Sequence, residues 1–227
     1  EIAVDGSDPD WLGAWRSADD AAVRGLAGAL GDGLSEPLVA ARLGEWLPSD
    51  ATLFVAASMP IRDVELYFPA RRKLSRVLSN RGANGIDGTV SSAFGVAATG
   101  CGRVVLLIGD VALAHDVGGL LAARRLGLEL TIVLLNNDGG GIFHFLPVSG
   151  VNDAFEDHIA TPHGLDFEQV AKLYGFAYQR PGSEDELHAA VARSGGCRLI
   201  EVRTDRAENL ALHRRAAEAA LAAVRGQ

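Results

Sequence analysis

The sequence predicts an α/β fold, a doubly wound and mainly parallel sheet with helices on both faces. Two apolar runs, residues 104–108 and 130–135, have the length of buried strands, and each run ends in a turn signal. A helical pattern over residues 116–126 separates them, and two buried strands joined by a helix are expected to be parallel, with a right-handed crossover. Strand and helix patterns alternate on both sides of this unit, which extends the same architecture to most of the chain.

Three helices and two strands are predicted before this central unit. An alanine-rich helix is broken at Asp32-Gly33, and Ser35 can cap the next helix because its hydroxyl accepts a hydrogen bond from a first-turn N–H group. Pro37 is tolerated in that first turn, where the N–H group that it lacks would have no partner within the helix. The predicted helices are 11–30, 35–47 and 89–98, and the predicted strands are 52–57 and 77–78.

After the central unit, a stretch over residues 147–164 has no regular pattern and is too long for an ordinary connection, so we expect an active-site flap there. Asp166 with Gln169, and Ser183 with Glu186, are capping-box patterns that open two helices. Two further strands and a final helix complete the alternation, at residues 176–179, 197–202 and 209–225.

Composition restricts the classes of function. The chain has 227 residues, a net charge of −8 and 48% hydrophobic residues, which favours one sizeable globular domain and argues against a nucleic-acid partner. There is no apolar run of membrane-spanning length and no secretory signal pattern at the start of the sequence. Cys101 and Cys197 are too few for a disulfide scaffold or a zinc site. We therefore expect a cytoplasmic protein with free thiols.

Two polar residues follow the two central strands and point to metal chemistry. Asp110 and Asn137 come at the carboxyl ends of these strands, the edge at which open α/β sheets bind ligands. Their oxygens, with a backbone carbonyl from the loop 138–141, suit Mg²⁺, which completes its coordination with water and phosphate. The glycines of that loop allow backbone to approach a diphosphate, and Ile142 onward could begin a helix whose N-terminus favours negative charge. The alternative is that Asp110 is a turn residue and the glycines form an ordinary loop.

Motif spacing adds a family resemblance. Gly109-Asp110, followed after roughly twenty-five residues by Asn136-Asn137, resembles the fingerprint of thiamine diphosphate (ThDP)-dependent enzymes. The segments SNRGANGIDG, residues 79–88, and NNDGGGIF, residues 136–143, closely resemble the MenD family, the 2-succinyl-5-enolpyruvyl-6-hydroxy-3-cyclohexene-1-carboxylate (SEPHCHC) synthases of menaquinone biosynthesis. The resemblance runs from about Trp11 to the end of the chain and is to the diphosphate-binding domain of these transferases.

The resemblance implies a reaction, its cofactors and roles for named residues. It implies that ThDP and Mg²⁺, with Mn²⁺ as an alternative metal, support decarboxylation of 2-oxoglutarate and addition of the succinyl carbanion equivalent to isochorismate. By resemblance, substrate carboxylates are held by Ser58, Arg62 and Arg81. The implied cofactor-binding residues are Ile86, Gly109, Asp110, Asn137, Gly139, Gly140, Ile142, Phe143 and Leu146, with Asp110, Asn137 and the Gly139 carbonyl as metal ligands.

Several of these residues also have ordinary structural interpretations. Either arginine could be a solvated surface charge or could pair with Asp63 or Asp87. The apolar set Ile142, Phe143 and Leu146 could simply be helix core. His144 could aid proton transfer near the pocket, although a single histidine is more often structural or solvated.

The same resemblance predicts domain organisation. Residues 1–10 read as a linker or the tail of a preceding middle domain, and residues 11–227 as the diphosphate-binding domain. An N-terminal pyrimidine-binding domain, which carries the glutamate that activates the cofactor, is absent from this chain and is expected from a partner subunit of a homodimer or homotetramer. Two alternatives remain. One is another ThDP-dependent carboligase or decarboxylase, in which Arg62 and Arg81 would be hard to explain. The other is a non-catalytic half that only docks diphosphate cofactors or a partner chain.

Overall fold

The computed structural model describes residues 9–70, 76–80, 85–151 and 154–226. Within them, six parallel strands form one sheet in the order β2-β1-β3-β4-β6-β5. The strands are β1 (Thr52–Val55), β2 (Arg76–Leu78), β3 (Val104–Gly109), β4 (Thr131–Asn136), β5 (Ala177–Gln179) and β6 (Arg198–Arg203). The predicted doubly wound parallel sheet is therefore confirmed, and the strand order reverses beside β1 and β3, where such sheets open a crevice.

Helices alternate with the strands along the chain, and several short turns lie between them. The α-helices are α1 (Pro9–Ala29), α2 (Glu36–Trp46), α3 (Met59–Tyr67), α4 (Thr89–Ala98), α5 (Asp110–His115), α6 (Leu121–Leu126), α7 (Phe167–Tyr174), α8 (Glu184–Ala192) and α9 (Arg206–Arg225). Short 3-10 helical turns span Val117–Leu120, Gly141–Phe145 and Pro147–Gly150, and one turn of π-helix spans Glu156–Ala160. No helix in the described ranges is long and apolar enough to cross a membrane.

The chain divides into two compact units, residues 1–31 with 211–227, and residues 32–210. In the first unit α1 and most of α9 approach closely. Glycine at position 25 allows this approach, since a Cβ there would lie 2.7 Å from the carbonyl oxygen of Ala219. The second unit contains the whole sheet and every residue of the site described below. The predicted division at residue 10 stays a prediction, since residues 1–8 lie outside the described ranges.

Alternating side chains of the central strands build a core on each face of the sheet in the second unit. On one face, Leu106 and Ile132 pack in a buried cluster with Phe94 of α4. On the other, Leu107 and Val133 belong to a second cluster that also contains residues of α2, α3 and α8. A strand buried on both faces is apolar at every position, which is why β3 and β4 were predictable as continuous apolar runs.

The predicted helix over residues 116–126 is confirmed in its extent, since the chain is helical from Val117 to Leu126, but its first turn is a 3-10 turn. The chain also turns into α5 at Asp110 directly after β3, and Asp116 lies between α5 and the 3-10 turn, as the C-cap of the first and the N-cap of the second. Its side chain makes no capping hydrogen bond to that 3-10 turn. The Asp116 carboxylate instead accepts hydrogen bonds from the backbone N–H (2.9 Å) and the hydroxyl (3.3 Å) of Ser91. Ser91 lies in the first turn of α4, whose N-cap, Gly88, has no side chain to offer. Asp116 therefore caps a neighbouring helix, a tertiary contact that local pattern does not reveal.

The other predicted caps are confirmed. Ser35 accepts from the N–H of Leu38, and Ser183 accepts from the N–H of Glu186. Asp166 accepts from two first-turn N–H groups of α7. Each side chain satisfies a donor that has no partner within its helix, so these three starts were readable from the sequence.

Candidate functional site

A cavity of about 630 Å³ opens at the carboxyl edge of the sheet in the second unit. Its walls come from the segments that follow three neighbouring strands, β1, β3 and β4, together with Glu36 and Ile86. This volume lies in the range of pockets that enclose a cofactor or drug-sized ligand. The position is the crevice that the strand order predicts.

Most of the predicted site residues meet in this cavity. Those lining it are Ser58, Arg62, Ile86, Gly109, Asp110, Asn137, Gly139, Gly140, Ile142 and Phe143. Leu146 does not line the cavity; it follows the 3-10 turn Gly141–Phe145 and is 48% exposed. Arg81 lies outside the described residues.

Asp110 joins the loops that follow β3 and β4. Its carboxylate is buried, and Oδ1 accepts a hydrogen bond from the N–H of Val111 (2.7 Å). Oδ2 accepts from the N–H of Gly139 (3.0 Å) and lies 3.2 Å from Nε2 of His163. The carboxylate is thus fixed at the end of β3 and faces the glycine loop 138–141, which was expected to bind the same metal ion.

Asn137 presents an unsatisfied oxygen to the same space. Its Nδ2 donates to Oε1 of Glu36 (2.8 Å), whereas its Oδ1 is buried and has no hydrogen-bond partner among the described residues. The side chain can lie there because residue 141 is glycine, where a Cβ would be 2.7 Å from Nδ2. A buried acceptor without a donor is costly, and a cation next to it would supply the missing partner.

The donor set fits Mg²⁺. Asp110 and Asn137 offer oxygen only, and Gly139 adds a carbonyl that accepts one hydrogen bond, from the N–H of Gly141 (3.0 Å), and retains a second lone pair. Among the described residues no group of three His, Cys, Asp or Glu side chains could enclose a metal. A metal here would therefore need amide, carbonyl and outside oxygens, which is how Mg²⁺ is bound together with phosphates.

Glu36 is a site residue that sequence reasoning missed. It is only 1% exposed, and its Oε1 also accepts from the hydroxyl of Thr204 (2.9 Å). Burial, and then the neighbouring charge of Asp63, raises the pKa of Glu36 to about 7. A glutamate in the first turn of a helix is ordinarily an exposed residue that complements the helix dipole. Nothing local marks Glu36 as an exception.

The stretch expected to be a flap reaches the glycine loop at its far end. Asp138, at φ +58°, accepts from the N–H groups of His163 (3.0 Å) and Gly164 (2.8 Å). These bonds, that from Gly164 first, lower the pKa of Asp138. The N–H of Gly140 donates to the carbonyl of Ala160 (2.7 Å). His163 is, after Glu36, the second site residue that the sequence did not indicate. The hydrogen bonds to Asp138 hold its backbone near the glycine loop, and its side chain there lies beside Asp110.

Gly139 makes this seating possible. Its φ is +138°, a conformation that other residues rarely adopt, and a Cβ would overlap the carbonyl oxygen of Ala160. Glycine at this position is therefore required by the packing of residues 160–164 as well as by the turn.

Arg62 stands on the other side of the cavity with its charge available. It lies in the first turn of α3, and its Nη1 donates a hydrogen bond to the backbone carbonyl of Ser58 (2.7 Å). It forms no salt bridge with any residue of the described ranges, so the expected alternative pairing with Asp63 is not observed. Asp87, the other alternative acceptor, lies 2.5 Å from His115.

The apolar candidates Ile86 and Phe143 line the cavity, whereas the histidine candidate His144 does not. Phe143 is 38% exposed in a 3-10 turn, which excludes ordinary helix core for this residue, and Ile86 packs against the core beneath the cavity. His144 does not line the cavity and stacks edge-on against Phe155. Its pKa is lowered, first by burial and then by the charge of Arg206. This environment favours the structural interpretation of His144.

Comparison with known proteins agrees with the geometry. The family model described as thiamine pyrophosphate enzyme, C-terminal TPP binding domain, matches residues 62–202. The SEPHCHC synthase of Rubrobacter xylanophilus is 50% identical over 212 residues, which cover 91% of this chain and 36% of that protein. The synthase of Chloroflexus aurantiacus is 47% identical over 208 residues, covering 90% and 35%. The chain thus spans about a third of the length of these relatives.

A solved structure supports the fold. The X-ray structure assigned to a thiamin diphosphate-dependent enzyme isolated from Mycobacterium smegmatis superposes with a TM-score of 0.61 and 22% sequence identity. The superposition covers 76% of this chain and 32% of that one. This likeness shows the fold, and the family model shows the family. The chain belongs to the thiamine pyrophosphate enzyme family, by its C-terminal TPP-binding domain.

Proposed function

We propose that this chain binds the diphosphate of ThDP through Mg²⁺ as the C-terminal part of a SEPHCHC synthase. The observation that carries the proposal is the unpaired Asn137 Oδ1 in a cavity that also holds the fixed Asp110 carboxylate. Asp110, Asn137 and the carbonyl of Gly139 would hold the metal. When bound, ThDP supplies the electron sink for decarboxylation of a 2-oxo acid. The chain's own residues bind and orient.

The proposed substrates are 2-oxoglutarate and isochorismate. Both carry carboxylates, and Arg62 lines the cavity with a guanidinium that no described carboxylate neutralises. Guanidinium groups bind carboxylates through two parallel hydrogen bonds. Relatives 42–50% identical to this chain are named as SEPHCHC synthases, which favours this substrate pair over another ThDP-dependent carboligase. Arg81, by resemblance, is proposed as a second carboxylate-binding residue.

We further propose a cytoplasmic homodimer or homotetramer in which a pyrimidine-binding domain of a partner subunit completes the site. The support is an apolar surface beside the cavity. Four large hydrophobic side chains there are between 36% and 53% exposed: Phe143, Phe145, Leu146 and Val151. Exposed apolar surface of this kind is typical of a protein–protein contact.

Calorimetric titration tests the cofactor assignment. ThDP titrated into the chain should bind in the presence of Mg²⁺ and should lose most of its affinity in EDTA, because the diphosphate needs the metal to approach Asp110. Thiamine, which lacks the diphosphate, should not bind detectably under either condition. Equal binding of thiamine and ThDP, or binding of ThDP that is indifferent to EDTA, would contradict the proposal.

A second prediction concerns Arg62. In a complete synthase that carries this chain, Arg62→Ala should lower kcat/KM for 2-oxoglutarate by roughly 10- to 100-fold, which corresponds to about 1.5–3 kcal/mol for a lost charge-assisted contact. Affinity for ThDP should change little. The matched control is Arg42→Ala on α2, because Arg42 pairs with Glu45 and Glu184 and does not line the cavity. Arg62 would instead belong to the cofactor site if Arg62→Ala lost its affinity for ThDP while the enzyme that still carries ThDP kept its kcat/KM for 2-oxoglutarate.

A further inference from the structure

We infer that Glu36 is a positioning residue that fixes the side-chain amide of Asn137, so that its oxygen and not its NH₂ group is presented to the metal. The inference rests on the proposed binding of Mg²⁺ and ThDP. It adds a residue from a helix start 101 positions away in the sequence to the metal site.

The contact is short, buried and directional. Glu36 is the first residue of α2, and Ser35, the N-cap, holds that start through the N–H of Leu38. From there its Oε1 receives two hydrogen bonds, from Asn137 Nδ2 (2.8 Å) and from the Thr204 hydroxyl (2.9 Å). The carboxylate is therefore fixed from three elements: α2, the loop after β4 and the residue after β6.

A carboxylate at this place selects one orientation of the amide. An amide presents an acceptor at one end and a donor at the other, whereas Glu36, whose ionised form a cation bound beside Asn137 would favour, only accepts in that form. The NH₂ group of Asn137 must therefore face Glu36, since the flipped amide would bring two acceptor oxygens to about 2.8 Å. The orientation that remains leaves Oδ1 unpaired and buried. Without Glu36 either end of the amide could face the metal, and the NH₂ end cannot coordinate it.

The local charge also favours a cation. Glu36, Asp63 and Asp110 are each at most 2% exposed, and the negative charges of Asp63 and Asp110 both act on Glu36. Like charges in a low-dielectric environment repel strongly. A divalent ion held by Asp110 and Asn137 would relieve that repulsion, so the cluster and the metal would stabilise each other.

A purely structural role for Glu36 makes a different prediction. If the carboxylate only tied α2 to the ends of β4 and β6, its removal would change the free energy of unfolding and leave the Mg²⁺ requirement alone. A positioning role changes the Mg²⁺ requirement in protein that is still folded. Partners behind a metal ligand typically contribute 10- to 100-fold to metal affinity.

The experiment measures ThDP binding by calorimetry over a series of Mg²⁺ concentrations. Glu36→Ala should weaken ThDP binding 10- to 100-fold at fixed Mg²⁺ and shift the half-saturating Mg²⁺ concentration upward. Glu36→Gln keeps the reach of the side chain but can donate as well as accept, so it contacts the amide without selecting its orientation and should weaken ThDP binding by less than Glu36→Ala does. Glu45→Ala is the matched control, because Glu45 lies on the same helix and pairs with Arg42 at the surface. Its binding should equal that of wild type.

Each result distinguishes the inference from its foundation. No Mg²⁺-dependent binding by the wild-type chain would defeat the proposed function. Wild-type binding together with an unchanged Mg²⁺ requirement in Glu36→Ala would defeat the role of Glu36 alone. Far-UV circular dichroism establishes that the variant is folded. If Glu36→Ala does not fold, Glu36→Leu replaces it, since an apolar side chain of similar volume is often tolerated where a buried charge was removed.

Discussion

Asp110→Ala is expected to weaken Mg²⁺-dependent binding of ThDP by roughly 100-fold or more, since about 3 kcal/mol is a common contribution of one charged, buried partner. The carboxylate is the one anionic group in the proposed ligand set, and its Oδ2 is held against Gly139. Losing it would remove one proposed metal ligand and would release the loop that carries another, the Gly139 carbonyl. Calorimetric titration of ThDP at saturating Mg²⁺ measures the loss.

A second variant separates charge from loop structure. Asp110→Asn retains an oxygen that can accept from the N–H of Gly139 or Val111, so the loop should stay in place while the negative charge is lost. Its ThDP affinity should fall nearly as far as that of the alanine variant. Asp185→Ala, an exposed residue in the first turn of α8, is the surface control and should bind ThDP like wild type. Wild-type affinity in both Asp110 variants would remove Asp110 from the metal site.

Strand ends explain why half of the site was predictable. A strand buried on both faces is visible as a continuous apolar run, and its last residue is followed by the first polar group at the ligand-binding edge. Asp110 directly follows β3 and Asn137 directly follows β4. Two local patterns, together with the rule that parallel strands end at one edge, were sufficient to predict that these residues line one cavity.

The residues that support the site were not predictable in this way. Glu36 looks like any first-turn glutamate of a helix, and only the packing of α2 beside β4 brings it to Asn137. His163 comes from an irregular stretch whose path is set by hydrogen bonds to Asp138. Asp116 precedes its own helical segment, as predicted, but its side chain caps α4. In each case the residue contacts a partner distant in sequence, and the hydrophobic periodicity of the sequence carries no information about such contacts.

The isolated 227-residue chain should bind ThDP weakly and should form no measurable SEPHCHC. The cavity is proposed to hold the diphosphate and the metal, whereas by resemblance the pyrimidine ring and its activating glutamate belong to another domain. Phe143, at the cavity, and Leu146, which follows the same turn, are 38% and 48% exposed, so this side of the site is uncovered by the described residues. Water would reach the reacting carbon of bound ThDP. The contacts that orient cofactor and substrate, on which enzymatic acceleration depends, would be incomplete.

The measurement supplies the chain with ThDP, Mg²⁺, 2-oxoglutarate and isochorismate and follows the loss of isochorismate absorbance. The complete synthase of Rubrobacter xylanophilus, 50% identical over the shared region, is the positive control under the same conditions. Binding of ThDP without turnover is the expected pair of results, because the proposed metal and diphosphate contacts lie within this chain, whereas by resemblance the activating glutamate belongs to another domain. Turnover at a rate near that of the complete synthase would mean that a residue of this chain activates the cofactor. Glu36, which lines the cavity as a buried carboxylate outside the proposed metal ligands, would then be the first residue to replace.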